Sequence, residues 1–145
     1  MILSAPEIVR RLDKGRTQGN LVISPYSREC QQPASYDLRA AGDMSLPKGT
    51  CTLVPTLEWI ELPMDLAGTL RCRSSFGRRG VLLGGGFIDP GFRGQLTLCL
   101  TNLGSNDLNV QKNDRIVQMI LHEVRNGNQC YSGRYQDSRG VVEAQ

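Results

Sequence analysis

Beyond Asn20 the chain never sustains a helical period. Short runs of Leu, Val, Ile and Thr are cut at close intervals by Gly, Pro, Asn and Asp, which is the pattern of short strands joined by turns. The clearest runs are Thr50 to Leu53, Leu57 to Leu62, Thr69 to Arg73, Gly94 to Thr101 and Arg115 to Val124. Each is apolar at alternate positions or forms a short buried run. Pro25, Pro33, Pro47, Pro55, Pro63 and Pro90 fall between such runs or at their edges, where a missing N–H does least harm. The spacing predicts an all-β fold, a distorted barrel or jelly-roll-like sandwich of short strands. A short helix precedes it. Ser4 has the position of a cap, Glu7 stands three residues on, and Ile8, Val9 and Leu12 form an apolar face until Gly15 ends about three turns.

The 145 residues fit a single domain, expected to span 1–145. Its polar end, 131–145, is expected to be mobile unless something orders it. No run approaches the roughly 18 apolar residues of a membrane helix, and the N-terminus lacks a signal-peptide pattern; the expected location is the cytoplasm. A net charge of +3 is too mild to announce a nucleic-acid binder. Of 17 basic residues, however, 14 are Arg, whose planar fork suits the phosphates of a small molecule. The five cysteines are odd in number and lack a Cys-x-x-Cys pair, so buried thiols are expected rather than disulfides or zinc. P-loop and dinucleotide glycine motifs are absent, and the only histidine, His122, lacks the companions of a zinc-dependent deaminase.

Four segments carry chemistry. In Arg71-Cys72-Arg73-Ser74-Ser75-Phe76-Gly77-Arg78-Arg79-Gly80, four Arg surround two hydroxyls, the mixture of charge and close donors a triphosphate needs; a solvated basic turn fits the segment alone equally well. Gly84 to Gly94 is turn-forming, and Asp89 is its only carboxylate; Phe92 offers a flat face to a sugar or base. Asp37 is an acid in a predicted strand, where such a residue needs a specific partner, a structural hydrogen bond or a metal-bound water. Gln118 interrupts an apolar strand and needs hydrogen bonds if buried.

In this order, the segments resemble the motifs of the dUTPase and dCTP-deaminase superfamily: Ala34-Ser35-Tyr36-Asp37-Leu38, Arg73-Ser74-Ser75, Phe87-Ile88-Asp89-Pro90-Gly91-Phe92-Arg93-Gly94 and Arg115-Ile116-Val117-Gln118. The N-terminal helix and the ending Tyr131-Ser132-Gly133-Arg134-Tyr135-Gln136 look like the deaminase branch, whose usual ending has Lys in place of Arg134. Deaminases of that branch use a Glu ten residues after the third-motif Asp, and Cys99 stands there. Cytosine deamination needs a group that shuttles protons between water and base, and a thiol is a poor replacement for a carboxylate.

The resemblance therefore implies a dUTPase-like fold and hydrolysis of dUTP to dUMP and pyrophosphate. It implies that Asp89 is the general base for attack of water on the α-phosphorus, with Phe92 against the sugar. It further implies Arg73, Ser74, Ser75, Phe76, Gly77 and Arg78 around the phosphates, and the backbone of Thr97, Leu98 and Cys99 reading the pyrimidine. Gln118 and Asp37 would touch phosphates or the waters of a bound Mg²⁺, and Tyr131 and Arg134 would fold over the nucleotide from the tail. Members of this superfamily are homotrimers with sites at subunit boundaries. The competing readings are a dCTP deaminase, alone or bifunctional, and a nucleotide-binding regulator without turnover.

Overall fold

A computed structural model describes residues 1–12 and 20–145. The N-terminal helix α1 covers Ala5–Arg11, two turns rather than three; Gly15 lies outside the described residues. The expected capping box is not made. Ser4 is extended but forms no side-chain cap bond, and Glu7 turns instead to Arg10 and Arg11, 2.5 and 3.0 Å away. These bonds, that to Arg10 first, lower the Glu7 carboxyl to about 2. Arg11 continues to Asp65 at 2.5 Å, tying the helix to the sheet below.

Eleven strands follow: β1 Val22–Ser24, β2 Gln31–Gln32, β3 Ser35–Arg39, β4 Met44–Leu46, β5 Cys51–Glu61, β6 Leu66–Cys72, β7 Val81–Gly84, β8 Phe87–Ile88, β9 Arg93–Asn102, β10 Leu108–Val110 and β11 Arg115–Glu123. A second short helix, α2 Ser74–Gly77, separates β6 from β7. The strands form a four-stranded sheet in the order β1-β5-β9-β7, a five-stranded sheet in the order β2-β3-β11-β6-β8, and the pair β10-β4. All strand pairings in these sheets are antiparallel.

Alternation explains the layering. Along β9, Leu96, Leu98 and Leu100 are buried while Gln95, Thr97 and Cys99 are not; along β11, Val117, Met119 and Leu121 are buried in the same way. Both sheets turn these faces into one apolar core. The all-β expectation is met. Among the described residues, no helix is long and apolar enough to cross a membrane.

One boundary differs from the sequence reading. The runs Thr50–Leu53 and Leu57–Leu62 are parts of the single strand β5, which passes through Pro55. Pro55 stands opposite Thr97 of β9, and its carbonyl points the other way, accepting from the Ala41 N–H at 3.0 Å. Its missing N–H therefore removes no bond to β9. The register then shifts between Pro55 and Trp59. The Thr56 hydroxyl repairs the ladder there, accepting from the Leu96 N–H at 3.0 Å and donating to the Glu58 carbonyl at 2.9 Å.

Glu58 was not singled out in the sequence, yet its side chain is fully buried. It accepts from Arg39 Nε at 2.7 Å and from the Arg39 backbone N–H at 2.9 Å. Burial pushes its carboxyl upward, opposed by the bonds from Arg39. Removing one member of such a pair strands the other, so Glu58→Ala is expected to cost about 3–5 kcal/mol. Glu58→Gln, which keeps an acceptor for Arg39, should cost clearly less. Urea unfolding of the two variants checks this order.

Candidate active site

The first cluster forms around the turn after β8. β8 pairs with β6, Phe87 opposite Thr69 and Ile88 opposite Gly68, and the chain then turns through Asp89-Pro90-Gly91 with the Phe92 N–H donating to the Asp89 carbonyl at 3.2 Å. Gly91 has φ +77, and a Cβ there would collide with the Cys130 thiol, so glycine is required both by conformation and by space. The Asp89 side chain is exposed and has no partner among the described residues. It borders an open cleft of about 460 Å³ whose far wall is the segment from Arg125 to Tyr131. Phe92 is buried, and its ring meets that of Tyr131 edge to face with centroids 5.8 Å apart.

β9 leaves this turn and carries the residues expected to read a base. Thr97 and Cys99 lie on its outer face, whereas the Leu98 side chain is in the core, so Leu98 can offer a ligand only its backbone. β7 ends with Gly84 opposite Cys99, and the tail pairs by backbone at Gln95, whose N–H donates to the Ser138 carbonyl at 2.9 Å, and meets Thr97 through its hydroxyl. Between the two, the N–H and C=O of Thr97 face an edge without a strand partner. Burial pushes the Cys99 thiol upward, so at neutral pH it is uncharged.

The second cluster forms where β6 ends. Arg73 is the extended residue before α2, and Ser74 and Ser75 open that helix. Phe76 is in the core, beneath the Arg79 guanidinium, which stands 4.7 Å from the ring centroid and donates to the Ser75 carbonyl. Arg79 is thus held by the helix itself, while Arg78 is exposed beside Gly77. Across the sheet, Asp37, Gln118 and Arg71 stand in one row. Asp37 is fully buried, its Oδ2 lying 3.0 Å from Arg73 Nε and 3.7 Å from Arg115 Nη1. Burial is the larger influence on this carboxyl and raises it; Arg73 and Arg115 act in the opposite direction.

The two clusters are apart within one chain. Ile88 is opposite Gly68, so Asp89 falls beside Ala67, six residues along β6 from Arg73. At ~3.3 Å per residue that is about 20 Å.

The tail packs against β9 and its turn within the same chain. The Tyr131 N–H donates to the Pro90 carbonyl at 2.8 Å, Gln136 Nε2 to the Gly91 carbonyl at 2.9 Å, and the Val142 N–H to Thr97 Oγ1 at 3.0 Å. Arg93 and Asp137 form a bidentate pair at 2.6 and 2.8 Å, and Arg139 stacks over Trp59. These contacts with β9 and its turn are of the kind that would order residues 131–145. Arg134 does not reach the Arg73 cluster; it donates to the Gln145 carbonyl. Asp137 was not singled out in the sequence, where its only signal is its place in a polar tail, while Gln136 closes the ending Tyr131-Ser132-Gly133-Arg134-Tyr135-Gln136.

Two packed antiparallel sheets carry an acid-bearing turn at one end of β6 and an arginine and hydroxyl cluster at the other. The family model described as dCTP deaminase-like matches residues 39–124. The chain is 34% identical to the dCTP deaminase of Thermococcus kodakarensis, covering 84% of this chain and 89% of that one. It is 34% identical to the deoxyuridine 5'-triphosphate nucleotidohydrolase of Neorickettsia sennetsu, covering 72% and 78%. Its fold is similar to that of the 2'-deoxycytidine 5'-triphosphate deaminase of Agrobacterium tumefaciens, with a TM-score of 0.70 at 21% identity over 83% of this chain and 47% of that one. The chain belongs to the dCTP deaminase-like family.

The exposed Arg93–Asp137 pair should contribute little to global stability but much to where the tail lies. Arg93→Ala is expected to leave the thermal midpoint unchanged while amide exchange across residues 137–142 rises. Unchanged exchange would show that the backbone bonds alone hold the tail.

Proposed function

We propose that this protein hydrolyses dUTP to dUMP and pyrophosphate. The observation that carries the reading is Cys99. It stands on the outer face of β9 beside the open backbone edge of Thr97, it is an uncharged thiol, and no carboxylate occurs on β9 or on β7. A base read by that edge meets no group able to pass protons between water and the ring.

Hydrolysis asks less of this end of the site. Asp89, unpartnered and open to its cleft, is free to orient a water and take its proton as the water attacks the α-phosphorus. Phe92 supplies an apolar wall for the deoxyribose. Arg73, Ser74, Ser75 and Arg78 spread charge and donors over the triphosphate as negative charge builds on its oxygens. Gln118 lies in the same row as Asp37 and Arg71, where it can reach a phosphate. Tyr131, already against Phe92, closes the sugar end of the cleft.

A distance of about 20 Å along β6 separates Asp89 from Arg73, which is too far for one nucleotide to bridge with both groups at the α-phosphorus. This supports a homotrimer in which the turn of one subunit meets the cradle of the next, and Arg134 would then serve a neighbouring cradle rather than its own. Among the described residues no group of three His, Cys, Asp or Glu side chains could hold a metal ion. Mg²⁺ is accordingly read as part of the substrate, carried on the triphosphate oxygens with its waters.

Similarity to a dCTP deaminase over most of the chain favours a second reading, deamination of dCTP, alone or coupled to hydrolysis. Following pyrophosphate and ammonia in parallel separates the two. With Mg²⁺ and dUTP, pyrophosphate without ammonia is expected, and dCTP should release no ammonia; ammonia from dCTP would replace the hydrolase reading by the deaminase one. Asp89→Asn is expected to lower turnover by roughly a hundredfold to ten-thousandfold while binding of a non-hydrolysable dUTP analogue is retained.

A further inference from the structure

We propose that Asp37 is a positioning residue of the phosphate cradle, and that Arg115, which it holds together with Arg73, is a further phosphate contact. The proposal rests on the reading of the Arg73 cluster as a triphosphate site.

Asp37 occupies a strand position whose neighbours Tyr36 and Leu38 are fully buried apolar residues. A carboxylate there is expensive, and neither of its oxygens receives a hydrogen bond; the two guanidiniums meet it as ion pairs. What surrounds it is two guanidiniums. Each of these is fixed a second time. Arg73 Nη1 donates to the Arg115 carbonyl at 3.2 Å, and Arg115 Nη1 donates to the Glu29 carbonyl at 2.8 Å. Both side chains nevertheless keep solvent contact, 29% for Arg73 and 38% for Arg115. Each guanidinium is therefore held between Asp37 and a backbone carbonyl, and its remaining N–H groups are free to face a ligand. A guanidinium has five N–H donors in a rigid fork, so anchoring one edge aims the other. Two cations around one anion leave the cluster net positive, as a phosphate site requires.

The same geometry bears on the metal. Asp37 has no solvent exposure, and two cations stand at its Oδ2 where a Mg²⁺ ion would have to approach against their charge. The residues present do not fit a metal at Asp37, and charge-assisted alignment of Arg73 and Arg115 is the role left to it.

Inorganic tripolyphosphate is the direct probe, because it needs neither uracil nor hydrolysis. Calorimetric titration of the intact protein with tripolyphosphate in EDTA is expected to show binding about tenfold weaker in Asp37→Asn and in Arg115→Gln. The thermal midpoint of Asp37→Asn should not fall, since the amide is cheaper to bury than the carboxylate. Arg115→Lys, which keeps the charge but not the fork, should not restore affinity.

Unchanged or tighter binding by Asp37→Asn would overturn the proposal, showing that Asp37 only opposes the charge of its neighbours. A loss seen only with Mg²⁺ present would overturn it in favour of a metal role. Unchanged binding by Arg115→Gln would remove Arg115 from the cradle. If tripolyphosphate binds with the expected dependence and dUTP is not hydrolysed, the hydrolase reading falls and this inference stands.

Discussion

β6 carries the Arg73 cluster at its C-terminal end, and β8 hangs on its N-terminal half with Ile88 opposite Gly68. That register fixes where the chemistry can occur. A strand is stiff and spends about 3.3 Å on each residue, so no side-chain rotation brings Asp89 to Arg73. The chain carries instead two separate clusters, one with an acid and an aromatic wall, the other with guanidiniums and hydroxyls. The proposed homotrimer would let a second copy supply what one copy lacks. On this account the association of subunits is part of the active site, and stability and catalysis share the same sheet.

Buried charge is the second organising element. The fold encloses two carboxylates, Glu58 and Asp37, and meets each with arginine. The pairs do different work. Glu58 takes both the side chain and the backbone of Arg39 and sits at the register shift of β5, so it fastens one sheet to the other. Asp37 has only guanidiniums for company, and those guanidiniums reach solvent. Burial raises both carboxyls, which means that each is stabilising in its protonated form and that this contribution is lost as pH rises through the raised value. Arginine opposes the loss in both places.

Much of this was legible in the sequence because it rested on local chemistry. The strand pattern, the Asp89-Pro90-Gly91 turn and the Arg73-Ser74-Ser75 cluster are written in consecutive residues. The unbroken run of β5 through Pro55 was not, since it depends on which way one carbonyl points relative to β9. Nor was the role of Glu58, which is an ordinary acid until the fold brings Arg39 to it across 19 positions. The contacts of the tail were not legible for a related reason. Its polar composition describes a free chain, but Gln136, Asp137 and Ser138 find partners on β9 and its turn. Asp37 was singled out as an acid needing a partner, and two Arg supplied it.

Subunit complementation tests the divided site most directly. Asp89→Asn and Arg73→Ala chains, each nearly inactive alone, are co-expressed and purified as mixed assemblies, and dUTP hydrolysis is measured. If every site takes Asp89 from one subunit and Arg73 from another, random mixing restores about a quarter of the wild-type rate, since half of each kind of donor carries the intact residue. Activity no greater than that of the two separate variants would contradict the account and place both residues in the site of a single chain.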